Sequence, residues 1–175
     1  VKTLSSKTVY KNRWMTVRED EVERDNGQKG IYGVVEKPDF VLIIPFDGSH
    51  LYLVEQYRYP VSARHWEFPQ GTWEHQPNID PTQLAKAELQ EETGLRAGKL
   101  TYLGHLYKAY GYSNQGMHVF VATELQEGAQ DLDDEEDDLV VKKFTVGEVK
   151  DMIHKGNLKD SSSIAAWSLW RMQEL

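Results

Sequence analysis

Three glutamates, Glu88, Glu91 and Glu92, stand at positions i, i+3 and i+4 of one short segment. If that segment is helical, a rotation of about 100° per residue puts all three on a single face. Carboxylates gathered in this way repel one another by about 0.2–0.5 kcal/mol per pair, so either solvent screens them or a cation neutralises them. The chain has no cysteine, so a bound cation would be held by oxygen or imidazole. Oxygen donors favour hard ions, Mg²⁺ first with Mn²⁺ as a substitute. The same E-x-x-E-E spacing also suits a solvated acidic helix face, and spacing alone leaves both readings open.

The helix itself is well signalled. Asp80-Pro81-Thr82-Gln83 offers an N-cap, a proline at the first helical position and glutamine at the third, and the helix is expected to run to about Thr93 before Gly94 stops it. Upstream, Thr8 to Tyr10, Trp14 to Val22 and Gly30 to Val35 alternate as strands do, with Asp25-Asn26-Gly27 as a hairpin turn. Phe40 to Phe46 and Leu51 to Tyr57 read as a second hairpin, with Pro45 pointing to an edge or bulge. Leu100 to Tyr107, Met117 to Thr123 and Leu139 to Phe144 supply further strands. Val146 to His154 and Ser163 to Met172, the latter capped by Ser161, supply two closing helices. The order describes one α/β unit: residues 37–175 form the main domain, and residues 1–36 are a β-rich segment too short for a core of its own.

Composition bounds the function. With 175 residues, 39% hydrophobic and 27% charged, the chain suits one folded domain, and five Trp and nine Tyr supply large side chains for a core or for stacking on bases. A net charge of −8 disfavours long nucleic acid as a partner but permits small phosphate esters that arrive with a divalent cation. No apolar run approaches the about 18 residues of a membrane span, and Val1 to Ser6 lacks the regions of a signal peptide. A cytoplasmic enzyme acting on a small molecule is therefore the expectation. His65, His75, His105 and His118 form no pair at ligand spacing on one element, which disfavours a histidine metal site. Arg58 follows a strand and can either clamp a phosphate or pair with Glu67. Trp14 or Tyr32 could stack on a nucleobase, although strand aromatics more often serve a core.

Glu88-Leu89-Gln90-Glu91-Glu92-Thr93-Gly94-Leu95, preceded by Phe68-Pro69-Gln70-Gly71, resembles the Nudix box, G-x5-E-x7-R-E-U-x-E-E-x-G-U with U aliphatic. Val54 to Pro60 and Trp66 to Pro69 are similar to segments before the box in the ADP-ribose pyrophosphatase branch of that superfamily, and the acidic stretch 131–138 and Asp160 to Trp170 are similar to its later parts, so the resemblance covers nearly the whole chain, most specifically from Gln56 to Leu95. It implies an α/β/α sandwich with a mixed β-sheet, preceded by the β-rich segment, and a homodimer formed through that segment. The resemblance also implies metal-dependent hydrolysis of a nucleoside diphosphate derivative, ADP-ribose or a nucleotide sugar, to a nucleoside monophosphate and a phosphorylated sugar. The alternatives are a dinucleoside polyphosphate hydrolase and an impaired nucleotide-binding protein. By the same resemblance Glu88 and Glu92 are the main metal ligands, Glu91 binds a further ion or water, and a backbone carbonyl near Gln70 completes the site. A catalytic base from the late acidic stretch, 131–138, is implied as well; Glu136 is the first choice and Glu135 the next.

Two departures stand out. Measured back from the helix, the box's arginine becomes Ala87 and its first glutamate Ile79, with an insertion at His75 to Asn78 and Glu74 as a possible substitute. Loss of the arginine is expected to leave the glutamates less firmly oriented and the metal more weakly held. Tyr110 stands where ADP-ribose hydrolases of the family tend to carry a proline, which leaves the substrate open and makes Tyr110 a substrate-binding candidate.

Overall fold

The computed structural model describes residues 1–73, 76, 78–132 and 138–173. It is built in layers around two sheets. Strands β4 (Phe40–Pro45), β7 (Gln70–Gly71), β8 (Leu95–Tyr107) and β9 (Gly116–Glu127) form a mixed sheet in the order β7-β4-β9-β8, in which β4 and β9 run parallel. Strands β5 (His50–Arg58), β6 (Ala63–Glu67) and β10 (Val140–Thr145) form a second sheet in the order β10-β5-β6.

The period of two along β4 divides the core. Val41 and Ile43 pack with Leu84, Ala85 and Leu89 of helix α1 (Pro81–Thr93). Phe40, Leu42 and Ile44 pack on the opposite face with Val149 of α2 (Val146–His154) and with Ala166 and Trp170 of α3 (Ser161–Gln173). A strand buried on both faces must be apolar at every position, which is why FVLIIP reads as a continuous run rather than an alternation. The expected α/β/α layering is present.

The second hairpin is not. β4 and β5 lie in different sheets, joined only by an isolated bridge between Phe46 and Leu51, and β4 takes β9 as its neighbour instead. Burial on both faces favours the centre of a parallel pair over a hairpin arm, and the turn at Asp47 serves to change sheets. Pro45 fits this position: Ile43 N–H reaches Pro69 O at 2.9 Å on the β7 side, and the proline's missing donor falls on that same side, beyond the short pairing with β7.

α1 begins as its sequence announces, with Asp80 accepting from the N–H groups of Thr82 (2.9 Å) and Gln83 (3.1 Å), and it ends where Gly94 N–H bonds Gln90 O. α3 starts two residues before its expected start. Its cap is Asp160 rather than Ser161, because the longer acceptor reaches the N–H groups of Ser162 and Ser163. The N-terminal strands β1 (Lys2–Lys11), β2 (Thr16–Glu23) and β3 (Lys29–Glu36) form a separate antiparallel sheet. It joins the main body through Val35, which exchanges backbone hydrogen bonds with Tyr112 and Asn114. Trp14, expected on a strand, sits instead in the β1–β2 turn, where Asn12 Oδ1 accepts from the N–H groups of Trp14 and Met15.

Candidate active site

The segment Phe68-Pro69-Gln70-Gly71 leads from β6 through β7, and it crosses the face of α1 that carries the glutamates. Three bonds fix it. Phe68 N–H donates to Ser163 Oγ (2.9 Å), whose own hydroxyl donates to Asp160 (2.8 Å), so the start of α3 holds this segment from behind. Gln70 N–H donates to Glu92 Oε2 at 3.1 Å. The Gln70 side-chain amide donates to Glu67 at 3.0 Å and to Asp160 at 3.2 Å, which aligns two further carboxylates beside the first set.

Burial separates the three helix glutamates from a solvated acidic face. Glu92 is fully buried, Glu88 is 6% exposed and Glu91 is half-buried. A carboxylate withdrawn from water costs several kcal/mol unless it is hydrogen-bonded, paired or bound to a metal. Two of them one helical turn apart compound that cost. Gly71 brings the backbone against this cluster: a Cβ there would stand 2.5 Å from the carboxyl carbon of Glu88, closer than any real packing contact. The side chains of Glu88, Glu91 and Glu92 offer only oxygen donors, which fits a hard divalent cation such as Mg²⁺ or Mn²⁺.

Glu88 and Glu91 line a cleft of about 1780 Å³, with Glu92 buried behind them. Its walls combine the acidic floor, with Glu67, Glu88, Glu91 and Asp160, and a rim of cations, Arg13, Lys37, Arg58, Lys108 and Lys159. A concentration of positive charge in a chain of net charge −8 marks a place for an anion. Of the two roles open to it, Arg58 shows the pairing, bonding Glu67 through Nη2 and through Nε at 3.3 Å, yet its side chain remains 40% exposed and lines the cleft. Burial pushes the Glu67 carboxyl above the usual carboxylate range, against the opposing charge and hydrogen bonding of Arg58. Trp14 lines the same cleft from the tip of the β1–β2 turn, with the Arg13 guanidinium 4.1 Å from its ring centroid, so it serves no core.

Other sequence-predicted residues fall elsewhere. Tyr110 is exposed and lines a separate, smaller hollow with Tyr32 and Tyr107, while its neighbour Tyr112 borders the main cleft as well as that hollow. Ile79 packs beside the α1-side core, and Ala87 is half-buried on the helix. Glu74, Glu135 and Glu136 lie outside the described residues. The ends of the acidic stretch are nevertheless anchored: Asp131 N–H bonds Glu91 O at 3.2 Å, and Asp138 pairs with Arg64.

Two of the histidines do meet, across strands rather than along one element. His105 and His118, far apart in sequence, stand opposite each other on β8 and β9 and converge with Asp39. A search for ligand spacing along one element cannot see a pair made by strand register. Lys37, Lys108, Lys159 and Asp160 also went unremarked as site residues, because isolated charges carry no spacing signal; only Asp160, ahead of Ser161-Ser162-Ser163, had a capping context that could have drawn attention to it.

The profile of the NUDIX domain matches residues 36–167, and that of the nucleoside diphosphate sugar hydrolase N-terminal domain matches residues 1–35. The chain belongs to the Nudix family. Similar proteins include an ADP-ribose pyrophosphatase of Mycobacterium tuberculosis, 31% identical over 93% of this chain and 79% of its own length. A methanol dehydrogenase activator of Bacillus methanolicus is 30% identical over 99% of this chain and 94% of its own length. The crystal structure of an ADP compounds hydrolase superposes with a TM-score of 0.87 at 26% identity, covering 98% of this chain and 92% of the other. Glu88 and Glu92, in the segment that resembles the Nudix box, are the glutamates in contact with Gly71 and Gln70.

Gly71 provides a test that leaves every carboxylate in place. Gly71→Ala must displace Glu88 or the β7 backbone, and steady-state activity should fall at least about tenfold, since small misplacements of a positioned group are costly. Circular dichroism should stay native. Unchanged kinetics in a folded variant would show that the Gly71–Glu88 approach does not position the site.

Proposed function

We propose that this protein hydrolyses the diphosphate bond of a nucleoside diphosphate joined to a sugar, ADP-ribose or a nucleotide sugar, giving a nucleoside monophosphate and a sugar phosphate. The observation that carries the proposal is the buried glutamate pair, Glu88 and Glu92, held under the Gln70–Gly71 backbone, with Glu88 lining a cleft that cations rim. A buried all-oxygen donor set calls for a hard cation, and a cationic rim calls for an anion. A diphosphate bound together with Mg²⁺ satisfies both.

Glu88, Glu91 and Glu92 would hold the cation, with the backbone at Gln70 completing the set. The cation supplies charge neutralisation at the diphosphate and lowers the pKa of water. Gln70 N–H keeps Glu92 in the orientation that presents its carboxylate, a positioning role. Arg58, Lys108 and Lys159 line the path of the phosphates. Arg58 is restrained by Glu67, so less rotamer freedom is lost when it grips a phosphate oxygen. Trp14 offers an aromatic surface for the base. The names of the similar proteins, ADP-ribose pyrophosphatase and ADP compounds hydrolase, support this class of substrate.

Trp14 reaches the cleft from the N-terminal sheet, whose strand β1 is exposed along its full length. Leu4, Val9 and Ile31 of that sheet are also exposed. A ten-residue edge strand with apolar side chains invites a second copy, and the proposal therefore includes a homodimer assembled through this sheet. Light scattering at micromolar protein should give twice the chain mass. A monomeric mass with full activity would remove the dimer from the account.

For the chemistry, a panel of ADP-ribose, nucleotide sugars and dinucleoside polyphosphates is assayed with Mg²⁺ and with Mn²⁺. Steady release of a nucleoside monophosphate is expected from the first two classes. Glu88→Gln and Glu92→Gln should each lower kcat at least about a hundredfold while the fold persists, because each removes a ligand charge that stabilises the transition state. Binding without turnover on every substrate and metal would show a nucleotide-binding protein instead, and near-normal rates in both variants would contradict the metal assignment.

A further inference from the structure

We propose that Asp39, His105 and His118 form a second metal site, selective for Zn²⁺ and similar transition ions and made of donors separate from the glutamate face. The three come from neighbouring strands of one sheet. Asp39 immediately precedes β4, His118 lies on β9, and His105 lies on β8 directly opposite His118. None of them lines the large cleft as described.

A β-bulge makes the pair. The register between β8 and β9 shifts between Tyr102, which faces Phe120, and Gly104, which faces Val119. Continued without that shift, the antiparallel count would set His105 opposite Met117, a residue of the α3-side core; with it, His105 meets His118. Bulges re-aim side chains in this way, often next to functional sites. Gly116 makes room for the third ligand. A Cβ at this position would stand 2.6 Å from His105 Cε1 and 2.7 Å from Asp39 Oδ2, and Gly116 N–H donates instead to Asp39 Oδ1 at 2.7 Å.

The outcome is a carboxylate with one oxygen held by the backbone and the other facing two imidazoles. His105 Nε2 lies 3.0 Å from Asp39 Oδ2, and His118 Nε2 lies 3.5 Å from the same oxygen. Ligands about 2.0–2.1 Å from a tetrahedral ion stand about 3.4 Å from one another, so these separations are already close to those of a coordinated set. One donor atom from each of the three residues falls within 4.8 Å of the others, so binding needs only a small rotation of partly exposed rings. His118 Nδ1 is 3.3 Å from the Tyr102 hydroxyl, the kind of outer contact that fixes which imidazole nitrogen faces an ion. Partial exposure of all three residues leaves a fourth position for water.

Donor chemistry sorts the metals. Imidazole suits Zn²⁺ and its transition-metal neighbours, whereas Mg²⁺ demands oxygen. The two sites should therefore fill independently from a mixture. An ion here would tie β4, β8 and β9 together at the point where Asp39 O accepts a hydrogen bond from Thr72 Oγ1 at 2.8 Å, one residue from Gly71.

The test is equilibrium dialysis of the metal-stripped full chain against Zn²⁺ with millimolar Mg²⁺ present. One Zn²⁺ per chain should bind, and the Glu88→Gln/Glu92→Gln variant should bind it equally. The His105→Gln/His118→Gln variant retains hydrogen-bonding side chains and should lose at least about tenfold in affinity. Should that variant fail to fold, imidazole ¹⁵N spectra of the unaltered chain decide the matter: Zn²⁺ should shift His105 and His118 and leave His50 and His154 in place. No Zn²⁺ uptake over Mg²⁺, uptake indifferent to the histidines, or shifts confined to other histidines would overturn the proposal, whatever the activity of the glutamate site.

Discussion

The hydrogen bond from Gln70 N–H to the buried carboxylate of Glu92 joins the parts on which the site depends. It links α1, on one side of the mixed sheet, to a two-residue strand at the sheet's edge. The close approach of Gly71 to Glu88 follows from it. The same connection is secured from the other layer, where Phe68 N–H, Ser163 and Asp160 form a relay of hydrogen bonds ending at the start of α3. A cluster of buried carboxylates is electrostatically unfavourable by itself, so it persists only where surrounding groups fix its geometry or a cation offsets its charge. Both helical layers contribute to that fixing.

Seen from the cleft, the molecule keeps its charges apart by element. The floor is acidic because α1 and the β6–β7 connection place Glu88, Glu91 and Glu67 there, and the rim is basic because strand ends and turns supply Arg58, Lys108 and Lys159. The β1–β2 turn adds Arg13 and Trp14 from a sheet that otherwise contributes little to the core. That sheet thus has a reason to be attached: its turn completes the wall of a cleft that the rest of the chain leaves partly open.

Much of this was legible in the sequence, and the failures have physical causes. α1 announced itself through Asp80, Pro81 and Gly94 because caps are local chemistry, and its glutamates shared a face because helical geometry is local too. The pairing of β4 was misread because a run such as FVLIIP records burial on both faces but not the identity of its neighbours. The conjunction of His105 with His118 was invisible for a related reason: a bulge decides which residues face each other, and no spacing within either strand encodes it. Trp14 was misassigned because the alternation around it resembled a strand, whereas Asn12 closes a turn with its side chain. For Arg58 the sequence left a phosphate clamp and a pairing with Glu67 both open, and the structure shows the pairing. The way Asp160 joins them through Gln70 required the tertiary structure.

Anomalous diffraction from crystals soaked in Mn²⁺ with a non-hydrolysable nucleoside diphosphate analogue tests the central assignment most directly. The account predicts a manganese peak bounded by the carboxylates of Glu88, Glu91 and Glu92 and the backbone at Gln70, in contact with the diphosphate oxygens. A peak on Asp39, His105 and His118 alone, or a diphosphate bound in the cleft with no manganese at the glutamates, would contradict it.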